Sequence, residues 1–270
     1  MKSFIALMVI ACAGIVGCSK SSNPTGPQSG QGEMKMYMAD SPAAFDSVIV
    51  EVDSVEVHME TEGNDSTGGE DSTGGWITVS DKPAKYDLLA LRNGITTLLG
   101  DVRLSAGHYT QIRLMLGAGS YVVVNGVQHA LTIPSGFETG IKLNEQFDIE
   151  ADQTYALTLD FDAGRSIIVT GNGTYMLKPT IRAEANATSG TISGIILPPS
   201  AGAEVWTVSG SDTISTDVEE TTGVFKLMAV PEGTYTVNIQ AEGTFKDTTI
   251  ANVIVVRQQD TSIGTIILNQ

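Results

Sequence analysis

The segment Ser47-Val48-Ile49-Val50-Glu51-Val52-Asp53-Ser54-Val55-Glu56-Val57-His58 decides the fold class, because apolar and polar residues alternate along two strand lengths. A period of two places every second side chain on the same face of a β-strand. Residues 76–79 (WITV) and 109–116 (YTQIRLML) alternate in the same way. Residues 121–124 and 127–133 flank Asn125-Gly126, the preferred pair of a two-residue hairpin turn. The sequence therefore predicts an all-β protein.

One stretch departs from this pattern. Residues 87–99 (DLLALRNGITTLL) predict a short helix or turn, interrupted at Asn93-Gly94. Elsewhere, short runs rich in Val, Ile, Thr and Tyr are separated by Gly, Asp, Asn and Pro, and no helical period is sustained.

The N-terminus has the pattern of an export signal. Lys2 precedes an apolar run over residues 4–16, which is too short to span a bilayer and has the size of a signal core. Ile15-Val16-Gly17-Cys18 resembles a bacterial lipobox, in which the cysteine thiol receives a diacylglycerol and the chain is cut before it. This resemblance implies a signal peptide over residues 1–17 and a membrane-lipid anchor at Cys18. The alternative is an ordinary secretory signal.

The residues after Cys18 predict a flexible tether over 18–32. They are rich in Ser, Gly, Pro and Gln, and such a stretch buries too little apolar surface to fold. By analogy with enteric bacteria, Ser19 rather than Asp after the cysteine favours the outer membrane. The face of that membrane stays open.

Charge and cysteine content exclude several functions. The formal net charge is −16, whereas nucleic-acid binding requires a concentrated basic face. We therefore expect no nucleic-acid partner. Cys12 would be removed with the signal and Cys18 lipidated, which leaves the folded part without a disulfide, a thiolate metal site or a cysteine nucleophile.

The composition changes near residue 187, which predicts two domains. The first covers residues 33–186 and the second residues 187–270, where regularly spaced turn signals predict a compact β-sandwich.

The first domain resembles a bacterial lipoprotein family known as domain of unknown function 4382. This resemblance implies a secreted β domain and brings no activity. It is carried by the segments 38–42 (MADSP), 45–48, 87–94, 104–114 (LSAGHYTQIRL), 140–143, 159–167 (LDFDAGRSI) and 177–182 (LKPTIR).

The second domain resembles the carboxypeptidase regulatory-like domain, a transthyretin-type (prealbumin-like) β-sandwich. The typical segments are 190–194, 203–205, 222–227 and 230–237 (VPEGTYTV). Residues 217–221 depart from the family pattern and predict a longer loop. Alternation predicts that Tyr235, Val237 and Ile239 face the core. Such domains are grouped with carbohydrate-binding-like folds, and that grouping does not establish sugar binding.

Two acidic segments are candidates for a Ca²⁺ site, the one cofactor considered. Asp160 and Asp162 flank Phe161, so on a strand both point to one face, where they could bind Ca²⁺ or form an acid/base pair. A strand end capped by acidic residues is the favoured alternative. The loop 62–75, which repeats Asp-Ser-Thr-Gly-Gly, could also bind Ca²⁺, although a solvated hairpin tip is favoured there.

Aromatic and histidine residues complete the candidates. Trp76 and Trp206 could stack on sugar rings if exposed, but isolated aromatics in β-sandwiches more often fill the core. His58, His108 and His129 lack metal-ligand spacing, and His108 is expected to be structural. No nucleophile elbow, P-loop or dinucleotide motif occurs.

These observations together predict a non-catalytic, lipid-anchored protein of the cell envelope that acts as an interaction or structural module. Its partner would be a glycan or an envelope protein. A carbohydrate-binding lipoprotein is the first alternative, and it requires an exposed Trp or Tyr beside Asp or Asn on one sandwich face. A hydrolase is the second, and it requires a pocket that unites His108 or two carboxylates.

Overall fold

The computed structural model describes residues 30–60, 75–134 and 139–270. Within these residues the regular secondary structure is almost entirely β-strand, arranged in packed sheets, which confirms the all-β prediction. The signal segment, Cys18, most of the predicted tether and nearly all of the acidic loop lie outside the described residues. No helix in the described ranges is long and apolar enough to cross a membrane.

The first fourteen strands form an N-terminal sandwich. One sheet has the order β14-β11-β1-β5, and the other is a larger sheet built around β2. The strands are β1 (Gln31–Ser41), β2 (Ser47–Met59), β3 (Trp76–Ser80), β4 (Ala84–Asp87), β5 (Thr97–Ser105), β6 (Gly107–Leu116), β7 (Tyr121–Val124), β8 (Val127–Thr132), β9 (Ile141–Leu143), β10 (Phe147–Ile149), β11 (Thr154–Asp162), β12 (Ile167–Val169), β13 (Tyr175–Leu177) and β14 (Ile181–Ala185), with one short helix, α1 (Ala163–Ser166).

The segment that predicts the fold class forms one long strand, β2, rather than two. Its even-numbered residues from Val48 to Val52, then Val55 and Val57, are buried between the sheets. The change of parity coincides with a register shift at Val52/Ser54 against β6. A bulge of this kind keeps apolar residues on the core face of a long strand.

The hairpin prediction is confirmed. β7 and β8 pair in register up to Val124 and Val127. Asn125 has φ 50° and Gly126 has φ 75°, the left-handed backbone that a type I′ turn requires at both positions.

β1 is one of the two inner strands of the smaller sheet, parallel to β11 and antiparallel to β5. Met34, Met36 and Met38 on this strand are fully buried in the core. β1 begins within the predicted tether, because Gln31 pairs with Ser105 and Gly32 with Leu104.

Residues 87–99 differ in part from the prediction. A single 3₁₀ turn covers Leu88–Leu91, and the chain then reverses at Asn93-Gly94, both with positive φ. The last part of the segment is not helical, since β5 begins at Thr97. There Thr97 and Leu98 pair with β1, so tertiary pairing overrides the local preference.

The last seven strands form a C-terminal sandwich of two sheets, ordered β18-β15-β21 and β17-β16-β19-β20. Its buried residues form a hydrophobic cluster separate from that of the N-terminal sandwich. Val237 and Ile239 are buried in this cluster and Tyr235 packs against it, as alternation predicts. The strands are β15 (Ser189–Leu197), β16 (Glu204–Ser209), β17 (Asp212–Asp217), β18 (Val224–Pro231), β19 (Gly233–Gln240), β20 (Thr248–Val255) and β21 (Asp260–Ile267), with a 3₁₀ turn at Pro199–Ala201.

Both sandwiches contain the same side chain–backbone hydrogen bond at a Gly-x-Tyr sequence. The Tyr109 hydroxyl donates to the Ser105 carbonyl oxygen at 2.9 Å, and the Tyr235 hydroxyl donates to the Pro231 carbonyl oxygen at 2.8 Å. Each tyrosine thus spans four residues and fixes the bend that precedes its strand.

Candidate functional site at the junction of the sandwiches

A cleft of about 640 Å³ lies where the two sandwiches meet. Pro42 and Ala43, which follow β1, line one side. The opposite side is formed by the start of β16, the end of β19, and residues 217–221, which comprise the last residue of β17 and the loop after it. The cleft is therefore built by both halves of the chain.

Asn93 joins the sandwiches beside this cleft. Its side-chain oxygen accepts a hydrogen bond from the Thr216 hydroxyl at 2.9 Å and a longer one from the Lys226 amide at 3.4 Å. Thr216 lies on β17 and Lys226 on β18, which belong to different sheets. The Asn93 turn of the N-terminal sandwich is thus hydrogen-bonded to both sheets of the C-terminal sandwich.

Arg92 provides the positive charge of the cleft. Its guanidinium forms an ion pair with Asp217 and also donates to the Leu89 carbonyl oxygen at 2.7 Å. Burial raises the pKa of the Asp217 carboxyl, and the charge of Arg92 opposes that rise. Arg92 therefore pairs with one carboxylate of the cleft wall and is held in place by a backbone carbonyl.

The remaining cleft wall is acidic. Glu204, Glu219, Glu220 and Glu242 line it together with Asp217. Burial raises the pKa of Glu204, whereas hydrogen bonds from Thr222 and Thr221 lower the pKa of Glu219 to about 2. An excess of carboxylates over the single arginine disfavours anionic ligands.

Asp160, the first candidate calcium ligand, lies in an ion pair at the sandwich junction. Arg182 Nη2 donates to Asp160 Oδ2 at 2.9 Å, and Arg182 Nη1 donates to the Ala229 carbonyl oxygen of β18 at 2.7 Å. Burial raises the pKa of Asp160, and Arg182 opposes that rise. Arg182 thus pairs with a buried carboxylate of the N-terminal sandwich and connects the two sandwiches through the Ala229 carbonyl oxygen.

Asp162, the second candidate, caps the short helix α1. Its Oδ1 accepts the Arg165 amide at 2.8 Å, and its Oδ2 lies 3.4 Å from Arg165 Nε. Asp160 and Asp162 line one cavity of about 80 Å³, so they share a face. Arg182 lies next to the Asp160 carboxylate and Arg165 next to the Asp162 carboxylate. Calcium binding stays a prediction, and no group of three or more His, Cys, Asp or Glu in the described ranges could hold a metal ion.

Asp40 is a buried carboxyl that the sequence analysis missed. It is 5% exposed, and its Oδ1 accepts the Ala163 amide at 3.0 Å. Its Oδ2 has no hydrogen-bond partner in the described part of the chain. Burial raises the pKa of Asp40 to about 9. Alternation could have found it, since Asp40 follows Met34, Met36 and Met38 on the core face.

The two tryptophans differ in their surroundings. Trp76 is partly exposed, but the Arg113 guanidinium lies over its ring at 4.1 Å, and the His58 ring approaches its edge at 5.2 Å. Trp206 is also partly exposed, in the middle of β16, and its neighbours across the strands are Ser215 and Asn238. Trp206 thus has Asn238 beside it on one sheet face but is only partly exposed, and sugar binding stays a prediction.

His108 meets a carboxylate on the surface of the N-terminal sandwich. Its Nδ1 lies 2.8 Å from Asp148 Oδ1, with the two side chains 37% and 74% exposed. Asp148 lies on β10 next to β6, whereas Asp160 and Asp162 lie on β11. The structure thus brings His108 together with one acidic residue, away from the cleft.

The sequence from β1 to the end of β13 matches a known family. The match covers residues 31–179 and carries the description "Domain of unknown function (DUF4382)". The chain belongs to this family. The DUF4382 match ends before β14, although β14 pairs with β11 in the same sheet. Comparison of this DUF4382 chain with curated proteins finds no match.

Several solved structures are weakly similar. The Bacillus anthracis TIE protein is 11% identical, with 89% of this chain and 35% of that chain covered and a TM-score of 0.23. The minor pilin GBS52 of Streptococcus agalactiae is 10% identical, with 87% and 95% covered and a TM-score of 0.23. A C-terminal fragment of the pilus adhesin SpaC from Lactobacillus rhamnosus GG is 11% identical, with 88% and 97% covered and a TM-score of 0.24. The DUF4382 chain thus spans about a third of the TIE protein. TM-scores this low carry no conclusion about function.

Proposed function

We propose that this protein is a non-catalytic interaction or support module of the cell envelope, anchored by lipid at Cys18. The observation that carries the proposal is the clamp between the sandwiches, in which Asn93 bridges two strands and Arg182 bridges Asp160 to the Ala229 carbonyl oxygen. Such a clamp presents the surfaces of both sandwiches in a constant relative position. A constant position suits a protein that binds or supports another envelope component.

The N-terminal sequence supports the anchor. The apolar run before Cys18 and the Ser- and Gly-rich segment after it have the composition of a signal core and a tether. Several acyl chains on one cysteine would hold the protein durably on a membrane, since each buried methylene contributes about 0.8 kcal/mol. We infer the outer membrane from Ser19.

The two sandwiches are proposed as two domains with a boundary near residue 187. The separate hydrophobic clusters support this division. We further propose that the second domain is of the carboxypeptidase regulatory-like type, because its alternating strand after Pro231-Glu232-Gly233 faces the core as in that pattern.

A fractionation experiment tests the anchor. Cys18→Ser in the full chain is expected to abolish labelling with an alkyne-tagged fatty acid and to release the protein from the membrane fraction. Cys12→Ser is the matched control, because it changes the other cysteine within the signal and retains Cys18. Unchanged membrane association of Cys18→Ser would overturn the proposed anchor.

A further inference from the structure

The outer face of the sheet β17-β16-β19 carries a partly exposed tryptophan among polar side chains. Val205 and Thr207 are fully buried, so Trp206 between them points to the opposite face. This outward set, called the Trp206 face below, consists of Glu204, Trp206 and Val208 on β16, Thr213, Ser215 and Asp217 on β17, and Thr236, Asn238 and Gln240 on β19.

Two depressions meet at the Trp206 face. Glu204 and Gln240 belong to the cleft between the sandwiches. Val208, Thr236 and Asn238 belong to a shallow groove of about 560 Å³. Trp206 lies between them on β16, and the strand from residue 204 to residue 208 covers about 13 Å at about 3.3 Å per residue. The face is therefore an elongated track that continues into the cleft.

The Trp206 face offers the two kinds of group that bind sugars, an aromatic plane and amide side chains. An indole offers an apolar plane beside polar groups, and Trp206 stacks on no other ring in the described part of the chain. Among the described residues, the Asn238 amide nitrogen makes only a long contact of 3.5 Å, to the Thr236 carbonyl oxygen. The Asn238 and Gln240 amides each offer both donors and an acceptor to a ligand.

The N-terminal sandwich borders the same face. Arg165 of α1 donates to the Thr213 hydroxyl at 2.8 Å, and Arg92 pairs with Asp217 at the cleft end. Both arginines are engaged, and the acidic side chains Glu204 and Glu242 line the cleft end of the face, where Glu204 also accepts a hydrogen bond from Ser215. This charge distribution selects against anionic polymers.

We propose that the Trp206 face binds an extended, uncharged oligosaccharide, with one sugar ring stacked on Trp206 and its neighbours bound by Asn238 and Gln240. The inference rests on the proposed role as an interaction module and names its ligand class. It does not depend on the lipid anchor, so loss of the anchor in Cys18→Ser leaves it intact.

Calorimetry on the full chain in detergent tests this proposal. The probes are cellohexaose, xylohexaose, mannohexaose and chitohexaose, with an oligogalacturonate as the anionic comparison. We expect saturable binding of at least one neutral hexasaccharide and none of the anionic one. Trp206→Ala should weaken binding roughly tenfold or more, as loss of a central aromatic contact does.

Trp76→Ala is the matched control, because Trp76 is the other tryptophan of the chain and lies under Arg113. It should leave binding unchanged. Asn238→Ala is a second variant that retains Trp206 and should also weaken binding. Circular dichroism confirms that each variant is folded.

A second readout uses Trp76→Phe, which leaves Trp206 as the single tryptophan. Its fluorescence should change saturably with the bound sugar. The proposal is overturned if no neutral hexasaccharide binds, or if folded Trp206→Ala and Asn238→Ala bind as well as the parent.

Discussion

Asp40→Asn is expected to remove a pH dependence from the stability of the N-terminal sandwich. The folded pKa of Asp40 is about 9, against an ordinary value of 3.8, and burial is the main cause. Between these values the folded state holds a proton that the unfolded state has lost. The contribution of Asp40 to the free energy of unfolding therefore falls as pH rises from about 4 to about 9, and it is greatest at the acidic end of this range.

The size of the effect follows from the shift. One pKa unit corresponds to about 1.4 kcal/mol, so the Asp40 contribution to the free energy of unfolding drops by about 3 kcal/mol between pH 6 and pH 8. Asn has no such titration. Its amide oxygen can still accept the hydrogen bond from the Ala163 amide, and its NH₂ takes the position of Oδ2, which has no partner among the described residues.

Urea unfolding at several pH values measures this difference. A Trp206→Phe background leaves Trp76 as the single tryptophan, which reports on the N-terminal sandwich. The free energy of unfolding of Asp40→Asn, minus that of the parent, should rise with pH. Asp152→Asn, an exposed carboxyl at φ 60°, is the control and should run parallel to the parent. Parallel curves for Asp40→Asn would refute the reasoning.

Two further predictions concern the junction and a turn. Arg182→Ala leaves the buried Asp160 without its cation and should lower the free energy of unfolding by about 3–5 kcal/mol. Arg165→Ala breaks an ion pair in which Arg165 is 54% exposed, and should lower the free energy of unfolding by less than about 1 kcal/mol. Denaturant titration compares the two variants, and equal losses would contradict the assignment of Asp160–Arg182 as the buried, stabilising pair. Gly223→Ala should destabilise the fold much more than Gly210→Ala, which should cost about 1–2 kcal/mol because both glycines have positive φ. At Gly223 the added Cβ would also lie 2.1 Å from the Ile196 carbonyl oxygen, whereas at Gly210 it would meet no atom within 4 Å. Melting temperatures measure both, and similar shifts would disprove the steric reason.

Much of the local structure is predictable because it depends on neighbours in sequence. Asn125-Gly126 forms its turn since both residues tolerate left-handed backbone, and the strand after Gly233 alternates as its sequence indicates. Residues 87–99 show the limit, because pairing of Thr97 and Leu98 with β1 is invisible to a local pattern.

The candidate site was only partly predictable. Alternation places Asp160 and Asp162 on one face, and both line one small cavity. It does not indicate that Arg182 occupies the position beside Asp160. Asp40 could have been found, since the core-facing methionines of β1 lead directly to it.

The sequence by itself determined the all-β class, the hairpin and the face to which most strand residues point, because these depend on a period of two and on turn residues. Only the tertiary structure decided that Asn93 reaches Thr216, 123 positions away, and that Arg182 joins Asp160 to Ala229. The packing of one sandwich on the other created the cleft and left Trp206 beside it. Such contacts depend on which sheets pack together, and no local pattern in a single sequence specifies that.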